Sequence, residues 1–490
     1  MATSTAKTAQ NDVKIGLECH VQLTKLKTKL FCGCSADYRD REPNTCVCPV
    51  CLGLPGSLPV PNERAVEMAL MIAQALGCEV PENSSFFRKN YAYVDLPKNY
   101  QISMYEAPDG SKTIARNGHL DLNTDGGRKR VSIWRIQLEE DPARNVFKGS
   151  ITTSPETLVD YNRSGVALCE IVTAPDISSP KEARLFAQKL RNMVEHLGVT
   201  DGSLQGSMRF DSNISIAGGN SVEVKNISSF KAIEKALSFE ISRQRSLQKR
   251  GASIKRETRH YDEVRKITVS LRSKETVEDY RYFRDPDLMP IRVEESMIES
   301  ARDLMPELPD ARSLRFQRDY RLPQYDADVL TASKKLADFF EECVETYNDP
   351  KRVSNWLMTE LLGYLNEKGL EIDELEIEPP QIADLMRLID EKRISGKMAK
   401  GVMRTMLDTG RGPLDIVEEK DLRRIGDRSE LDLLVEEVFG ENPEAVQDAL
   451  AEDKAKNYLV GQVMKKTKGT ADPEITNKLI SRRLEDLRQG

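Results

Sequence analysis

Six of the nine cysteines in this 490-residue chain fall between Cys19 and Cys51. Cys32 and Cys34 flank one glycine, and Cys48 and Cys51 close a CPVC turn about fourteen residues further on. A short turn aims two sulfurs at one point, and a second pair completes a tetrahedron. The spacing predicts a four-thiolate zinc site with no coordination position left for catalysis. Buried, unligated thiols are the bland alternative, and the pairing argues against it. Cys46 is a fifth, ambiguous thiol.

Glu18 and His20 are the second signal. Ile15, Leu17, Cys19, Val21 and Leu23 alternate with Gly16, Glu18, His20 and Gln22, so the stretch reads as a strand with Glu18 and His20 on its polar face. Cys19 points the other way and makes a poor nucleophile–base pair with His20. A carboxylate beside an imidazole suits a divalent metal or a proton transfer, and equally a solvated strand face. Glu139-Glu140-Asp141 ends the strand-like SIWRIQL, and Glu170 sits inside VALCEIV. A buried Glu must be protonated, paired or metal-bound. Arg163, Arg209, Asp211, Asn213, Glu223, Lys225 and Asn226 add polar groups on or beside predicted strands, each also explicable as a sheet-edge ion pair. Together they outline an acidic, metal-ready sheet face with cations nearby, a composition that fits phosphoryl transfer. No GxxxxGK[ST], GxGxxG or GxSxG occurs, so a nucleotide site would have to be sheet-based.

The elements that must carry these residues follow from periodicity. Strands are expected at 13–23 and near 131–138, 166–173, 207–216 and 222–225. Helices are expected near 63–76, over 180–197 behind a Ser179/Glu182 capping box with Pro180 at its first position, and from Ser228-Ser229 onward. Strands and helices mix without a βαβ rhythm, so the fold class is α+β. After Pro290 the chain is proline-punctuated, then helical almost throughout. The TGRGP break at 409–413 sets off a last helical module. The expected division is a tail over 1–12, a sheet domain over 13–292 with the zinc loop at 32–51, a helical domain over 293–410 and a terminal domain over 411–490.

Hydrophobic residues are 39% and charged residues 31% of the chain, and the net charge is −7. No apolar run reaches the ~18–20 residues of a membrane span, and residues 1–12 lack a signal-peptide core. The expected location is the cytoplasm, with no membrane partner. The acidic stretch 411–453 carries a net −9, whereas 454–490 carries +5. Lys465, Lys466, Lys468, Lys478, Arg482 and Arg483 could meet a phosphate backbone or simply be solvated.

IGLECHVQL, FCGCS, CPVCLGLPGSLPV, RKNYAYVDLPKNYQIS, LVDYNRSGVALCEIV, VEVKNISSF, DYRYFRDPDL and YLVGQVMK run in order from about residue 13 onward. In these stretches the chain resembles the GatB family, the B subunits of the GatCAB aspartyl/glutamyl-tRNA amidotransferases. The resemblance implies a cradle domain of mixed, mainly antiparallel sheet and helices, then a helical domain and a tail domain that meets tRNA. It implies phosphorylation of the side-chain carboxylate of mischarged Asp-tRNA(Asn) or Glu-tRNA(Gln) by ATP with Mg²⁺. Ammonia would come from the GatA amidase, in a heterotrimer completed by the small GatC protein. It implies Mg²⁺ at Glu18, His20, Glu140 and Glu170, with Glu139 adjacent and Lys89 and Tyr91 near the transfer site. Arg209, Asp211 and Asn213 fall in a family stretch where Gln205 replaces a Glu. The cysteines match a zinc-bearing branch of the family. The rival expectation is a non-catalytic, zinc-containing tRNA-binding adaptor, which would have no use for a cation cage.

Overall fold

The computed structural model describes residues 12–149, 154–227, 229–273, 277–420, 422, 428–451, 455–467 and 470–489. The alternating N-terminal run forms strand β1 (Val13–Gln22). Ile15, Leu17, Cys19 and Val21 are buried on one side of it, as the period-two pattern requires. Ten more strands join β1 in one sheet. They are β2 (Phe86–Asn90), β3 (Tyr100–Met104), β4 (Ala115–Thr124), β5 (Gly127–Glu140), β6 (Ala167–Thr173), β7 (Met208–Ile216), β8 (Val222–Ile227), β9 (Glu257–Asp262), β10 (Ile267–Ser273) and β11 (Phe283–Arg284). Their order is β10-β9-β8-β7-β1-β6-β5-β3-β2-β11, with β4 paired to β5. The β8–β9 ladder is parallel and β1 pairs antiparallel with both its neighbours. The expected α+β class, with a mixed, mainly antiparallel sheet, is what the chain adopts.

Helices α1 (Glu63–Ala75), α2 (Pro180–His196) and α3 (Phe230–Lys249) supply apolar faces to the same core as β1. On α2, Phe186, Ala187, Leu190 and Val194 are fully buried, each large side chain contributing about 1.5–3 kcal/mol. Ser179 caps α2 by accepting from Glu182 N, and Gly198 leaves it at φ +70°. The reciprocal half of the expected capping box does not form. Glu182 accepts instead from Ser178 N and from Lys129 Nζ at 2.6 Å, because the nearby ammonium attracts the carboxylate more strongly than a single amide does.

The first compact unit continues to Pro309 rather than stopping at residue 292. The reason is α4 (Glu295–Asp303), whose Ile298 carbonyl accepts from Gln74 of α1 and whose Ala301 joins the sheet-domain core. In the second unit the described elements are helical. One apolar cluster runs from Phe316 to Val417 and another from Leu431 to Leu484. The helix Pro413–Glu419 puts Ile416 and Val417 into the earlier cluster, so the TGRGP break bends the chain without beginning the last module. No described helix is long and apolar enough to cross a membrane.

Candidate functional site

β1 sits at the centre of the sheet, and its register decides what meets on the polar face. His20 lies opposite Glu170 of β6 on one side and Arg209 of β7 on the other, and Glu18 lies opposite Asp211. Across the next ladders Gln137 of β5 stands opposite Glu170, and Ser103 of β3 opposite Glu139. Residues from five strands are thereby brought to one face. None of these strands' contributions is near the others in sequence, so antiparallel pairing alone assembles the cluster.

His20 Nε2 is 3.9 Å from Glu139 Oε1 and 4.0 Å from Glu170 Oε1. The other oxygen of each carboxylate is already taken, by Ser103 Oγ donating to Glu139 at 3.0 Å and Gln137 Nε2 donating to Glu170 at 2.6 Å. These donors fix both carboxylates and leave one oxygen of each facing the imidazole. The gap is too wide for hydrogen bonds. Ligands held at ~2.1 Å by one cation stand roughly 3–4 Å apart, so two oxygens and one nitrogen at this spacing fit a divalent ion. The donor set is hard, with one borderline nitrogen, which suits Mg²⁺ and Mn²⁺.

Burial and Glu170 push the Glu139 carboxyl up to about 7 against the pull of Lys89. Glu18 is likewise raised by burial and by Glu170. Both therefore hold protons in the folded chain that they release on unfolding. For Glu139 that stabilising contribution is fully present below about pH 4.5 and is lost as pH rises through about 7, and for Glu18 it changes in the same direction. A cation replaces the proton, so Mg²⁺ should raise the melting midpoint by several degrees at about pH 8 and hardly at all near pH 5. Thermal scans with and without Mg²⁺ check this, and Glu139→Gln should flatten the pH dependence.

The structure divides the expected magnesium quartet. His20 and Glu170 converge with Glu139. Glu140 points to the opposite face by strand alternation, where it accepts from Lys98 Nζ at 2.5 Å and Ile102 N at 2.8 Å. Glu18 faces the same side as His20 but accepts from Asn213 Nδ2 at 2.8 Å. It belongs to a second acidic group with Asp211 and Glu223. Lys225 Nζ stands 3.1 Å from Asp211 and 3.6 Å from Glu223. Burial would raise Asp211, but Lys225 and His20 outweigh it and hold the carboxyl low. Asp211 lies where the β7–β8 register shifts, a bulge of the kind that re-aims side chains beside sites. The side chain of Asn226 lies outside the described residues. Gln205 is exposed in the turn before β7.

Lys89 joins the face from β2. Its Nζ lies 5.0 Å from the ring centre of Tyr280 and 5.9 Å from that of Tyr91. Burial would lower its affinity for a proton, but Tyr282 and Glu139 raise it, so the ammonium stays charged. Arg209 is not free to meet a ligand. It is engaged with Asp141 at 2.7 and 3.0 Å, and Gln22 donates to the same carboxylate at 2.5 Å. Arg163 approaches Asp141 at 3.8 Å. Asp141 is a buried anchor that positions the end of β5. Asp141→Ala should cost about 3–5 kcal/mol in denaturant unfolding, because it takes the carboxylate from Arg209 and Gln22, whereas Arg163 keeps the Pro142 and Ala143 carbonyls.

On the other face, the sulfurs of Cys32, Cys34, Cys48 and Cys51 lie within 4.8 Å of one another. Cys48 and Cys51 are 3.8 Å apart, the separation of two thiolates each ~2.3 Å from one tetrahedral zinc, roughly 3.8 Å. Cys51 is drawn down to about 5 by the hydrogen bond from Cys32, and Cys34 is pushed up to about 12 by burial. Four sulfurs converging this closely would be held as thiolates by a zinc ion at their centre. Cys46 stands apart, its thiol directed at the Ser35 carbonyl and its own carbonyl accepting from the buried Lys29.

Ser103, Gln137, Tyr280 and Tyr282 join the site without being marked by the sequence. Gln137 shares a strand face with Glu139, so alternation could have found it. Ser103 has no sequence signal, because its role depends on a strand pairing across 36 residues.

The GatB/GatE catalytic domain matches residues 13–299, and the GatB domain matches residues 338–484. The chain is 50% identical over 480 residues to the aspartyl/glutamyl-tRNA(Asn/Gln) amidotransferase B subunit of Thermotoga maritima, covering 96% of this chain and 98% of that one. The proteins of the same name from Carboxydothermus hydrogenoformans and Saccharolobus solfataricus are each 48% identical. Each alignment covers 96% of this chain, with 98% and 99% of the relative.

Proposed function

The chain belongs to the GatB family, and from that premise we propose that it is the B subunit of an aspartyl/glutamyl-tRNA(Asn/Gln) amidotransferase. The reaction is an ATP-dependent ligation. A side-chain carboxylate oxygen of mischarged Asp-tRNA(Asn) or Glu-tRNA(Gln) attacks the γ-phosphorus of ATP, and the bond to ADP breaks. Ammonia then attacks the acyl carbon, phosphate leaves, and the amide loses a proton. A free carboxylate is a poor electrophile at neutral pH, so activation must come before amidation. No described residue is assigned to glutamine hydrolysis. That step is left to the GatA amidase, held with the small GatC protein in a heterotrimer that works in the cytoplasm.

The observation that carries this function is the convergence of His20, Glu139 and Glu170 beside the charged Lys89. His20, Glu139 and Glu170 would hold Mg²⁺, which when bound neutralises phosphate charge. Ser103 and Gln137 fix the two carboxylates. Lys89 offers a positive charge to the incoming carboxylate or the departing phosphoryl oxygens. Glu18, Asn213, Asp211, Glu223 and Lys225 form the adjoining wall for the nucleotide. An adaptor would not retain so many buried acids on one face, since unpaired carboxylates there oppose folding. Transamidation by the chain reconstituted with its partner proteins, assayed separately on Asp-tRNA(Asn) and Glu-tRNA(Gln), tests the proposal. ATP-dependent amide formation on at least one is expected, and none on either refutes it.

The zinc loop is assigned a structural role and the last helical cluster a tRNA-binding role. Lys466, Lys478 and Arg483 are ion-paired, to Glu437 and Glu441, Glu474 and Glu436 respectively. Lys465 and Arg482 have no such partner among the described residues, and Lys468 lies outside them. Deleting residues 428–490 spares the helix Pro413–Glu419. It should weaken tRNA affinity and flatten its salt dependence while leaving tRNA-independent glutaminase activity of the complex intact. Unchanged tRNA affinity would remove the assignment.

A further inference from the structure

Gln22 and Asp141 follow His20 and Glu139 on the same polar face, about 7 Å further in the same direction. β6 runs between β1 and β5. It pairs His20 with Glu170 and Gln22 with Leu168 on one side, and Leu168 with Glu139 on the other. His20–Glu139 and Gln22–Asp141 therefore cross β6 on parallel diagonals, one row of side chains apart. The first pair is an open gap of 3.9 Å. The second is closed, with Gln22 Nε2 donating to Asp141 Oδ2 at 2.5 Å and both residues buried. A hydrogen bond there fixes how far apart β1 and β5 hold their side chains at the neighbouring row.

The direction of the Gln22 amide is imposed from the zinc loop. Arg39 Nη2 donates to Gln22 Oε1 at 2.6 Å, and the buried Tyr38 sets its hydroxyl 3.3 Å from Gln22 Nε2. Cys34 and Cys48 stand at the two ends of the segment that carries Tyr38 and Arg39. Turning the amide over would set its oxygen against the Asp141 carboxylate and its NH₂ against a guanidinium. Arg39 has no ion-pair partner among the described residues, and its buried Nε has no hydrogen-bond partner there. Its other contacts are the Tyr38 ring at 4.9 Å and the Gln205 carbonyl at 3.5 Å. A partly buried cation with no acid beside it is a weak stabilising device. What Arg39 secures is the orientation of Gln22.

We propose that Arg39 and Gln22 are positioning residues for the cation, setting through Asp141 the width of the His20–Glu139–Glu170 site and its preference for a small ion. The inference rests on the proposed cation site and adds what fixes its size. Mg²⁺ needs near-ideal ligands at ~2.0–2.1 Å, whereas Ca²⁺ accepts irregular sets at ~2.3–2.6 Å. A site that loosens therefore loses Mg²⁺ sooner than Ca²⁺.

Binding to the zinc-loaded, full-length chain without nucleotide is read from the electron paramagnetic resonance signal of free Mn²⁺, with Mg²⁺ and Ca²⁺ as competitors. Arg39→Ala and Gln22→Leu should each weaken Mg²⁺ by about ten- to a hundred-fold, the usual effect of removing a group behind a metal ligand. Ca²⁺ should weaken less, so the ratio of the two affinities moves toward Ca²⁺. Arg39→Lys, which keeps a donor and a charge, should recover part of the loss. The Mg²⁺ concentration for half-maximal ATP cleavage should rise with the binding constant. Arg39 is partly exposed, so Arg39→Ala decides the matter even where Gln22→Leu folds poorly. Mg²⁺ affinity within about two-fold of wild type in Arg39→Ala overturns the clamp and leaves the cation site standing. Equal losses of Mg²⁺ and Ca²⁺ affinity with a lower melting midpoint give both residues to stability alone and overturn it too. If wild type binds Mn²⁺ no better than Glu170→Gln does, the cation site and the clamp fall together.

Discussion

Glu170→Gln should lower tRNA-dependent ATP cleavage by about 10²–10³-fold or more while leaving the apo chain at least as stable as wild type. Both parts follow from the same crowding. Glu170 raises the carboxyls of Glu139 and Glu18, so removing its charge relieves repulsion on a buried face. The same charge is what would hold a cation between Glu139 and His20, and a neutral amide is a weak substitute. Loss of activity together with unchanged or higher stability is not the signature of a structural residue. Glu140→Gln should behave differently. It leaves Lys98, whose side chain is 7% exposed, without its carboxylate partner. The expected effect is a loss of stability with a smaller loss of rate than Glu139→Gln causes. Melting midpoints and single-turnover rates for the three variants distinguish the two faces of β5.

Cys48→Ser, or exhaustive chelation, should remove about one zinc per chain and lower the melting midpoint of the first unit by about 10 °C. Several contacts depend on the knot. The fully buried Lys29 donates to the Cys46 carbonyl at 2.8 Å and faces Cys51 Sγ at 3.8 Å. Asn162 Oδ1 accepts from Cys46 N at 2.7 Å, and Ser164 Oγ donates to the Cys51 carbonyl. Without a metal, four close thiols have no counter-charge, and Lys29 is buried beside a site that no longer attracts it. Within 32–51 only Ala36 joins the apolar core, so a metal would supply much of the loop's order. The His20–Glu139–Glu170 cluster lies across the sheet, so residual ATP cleavage at low temperature is expected after zinc removal. Metal analysis of reduced, chelator-free protein checks the stoichiometry.

Much of this was legible in the residues. Alternation in β1 set Glu18 and His20 on one face, and the cysteine spacing marked a cluster whose sulfurs do converge. Glu170 inside VALCEIV was correctly suspect, because strand β6 is buried along its whole length. Three features were not legible. The choice between Glu139 and Glu140 depends on which side of β5 faces β1, a question of ladder register that local sequence does not decide. The engagement of Arg209 by Asp141 couples residues 68 positions apart. The capping partner of Glu182 moved because Lys129 arrives from a distant strand. In each case the deciding partner was non-local, whereas the helix ends, set by Ser179, Ser229 and Asp472, were local and could be read directly.

The proposed reaction moves the γ-phosphoryl group of ATP to the side-chain carboxylate of a mischarged tRNA, with His20, Glu139 and Glu170 at the site of transfer. It is tested most directly in a single turnover with γ-labelled ATP, mischarged tRNA and hydroxylamine, with glutamine and ammonia left out. The expected result is ADP and side-chain hydroxamate (β-aspartyl or γ-glutamyl, resolved from the α-hydroxamate of ester cleavage) in equal amounts from the wild-type complex, and both lowered by about 10²–10³-fold in the Glu170→Gln and His20→Ala complexes. Hydroxamate formed at the wild-type rate by both variants, or amide formed in a parallel reaction with ammonia but without ADP, would contradict it.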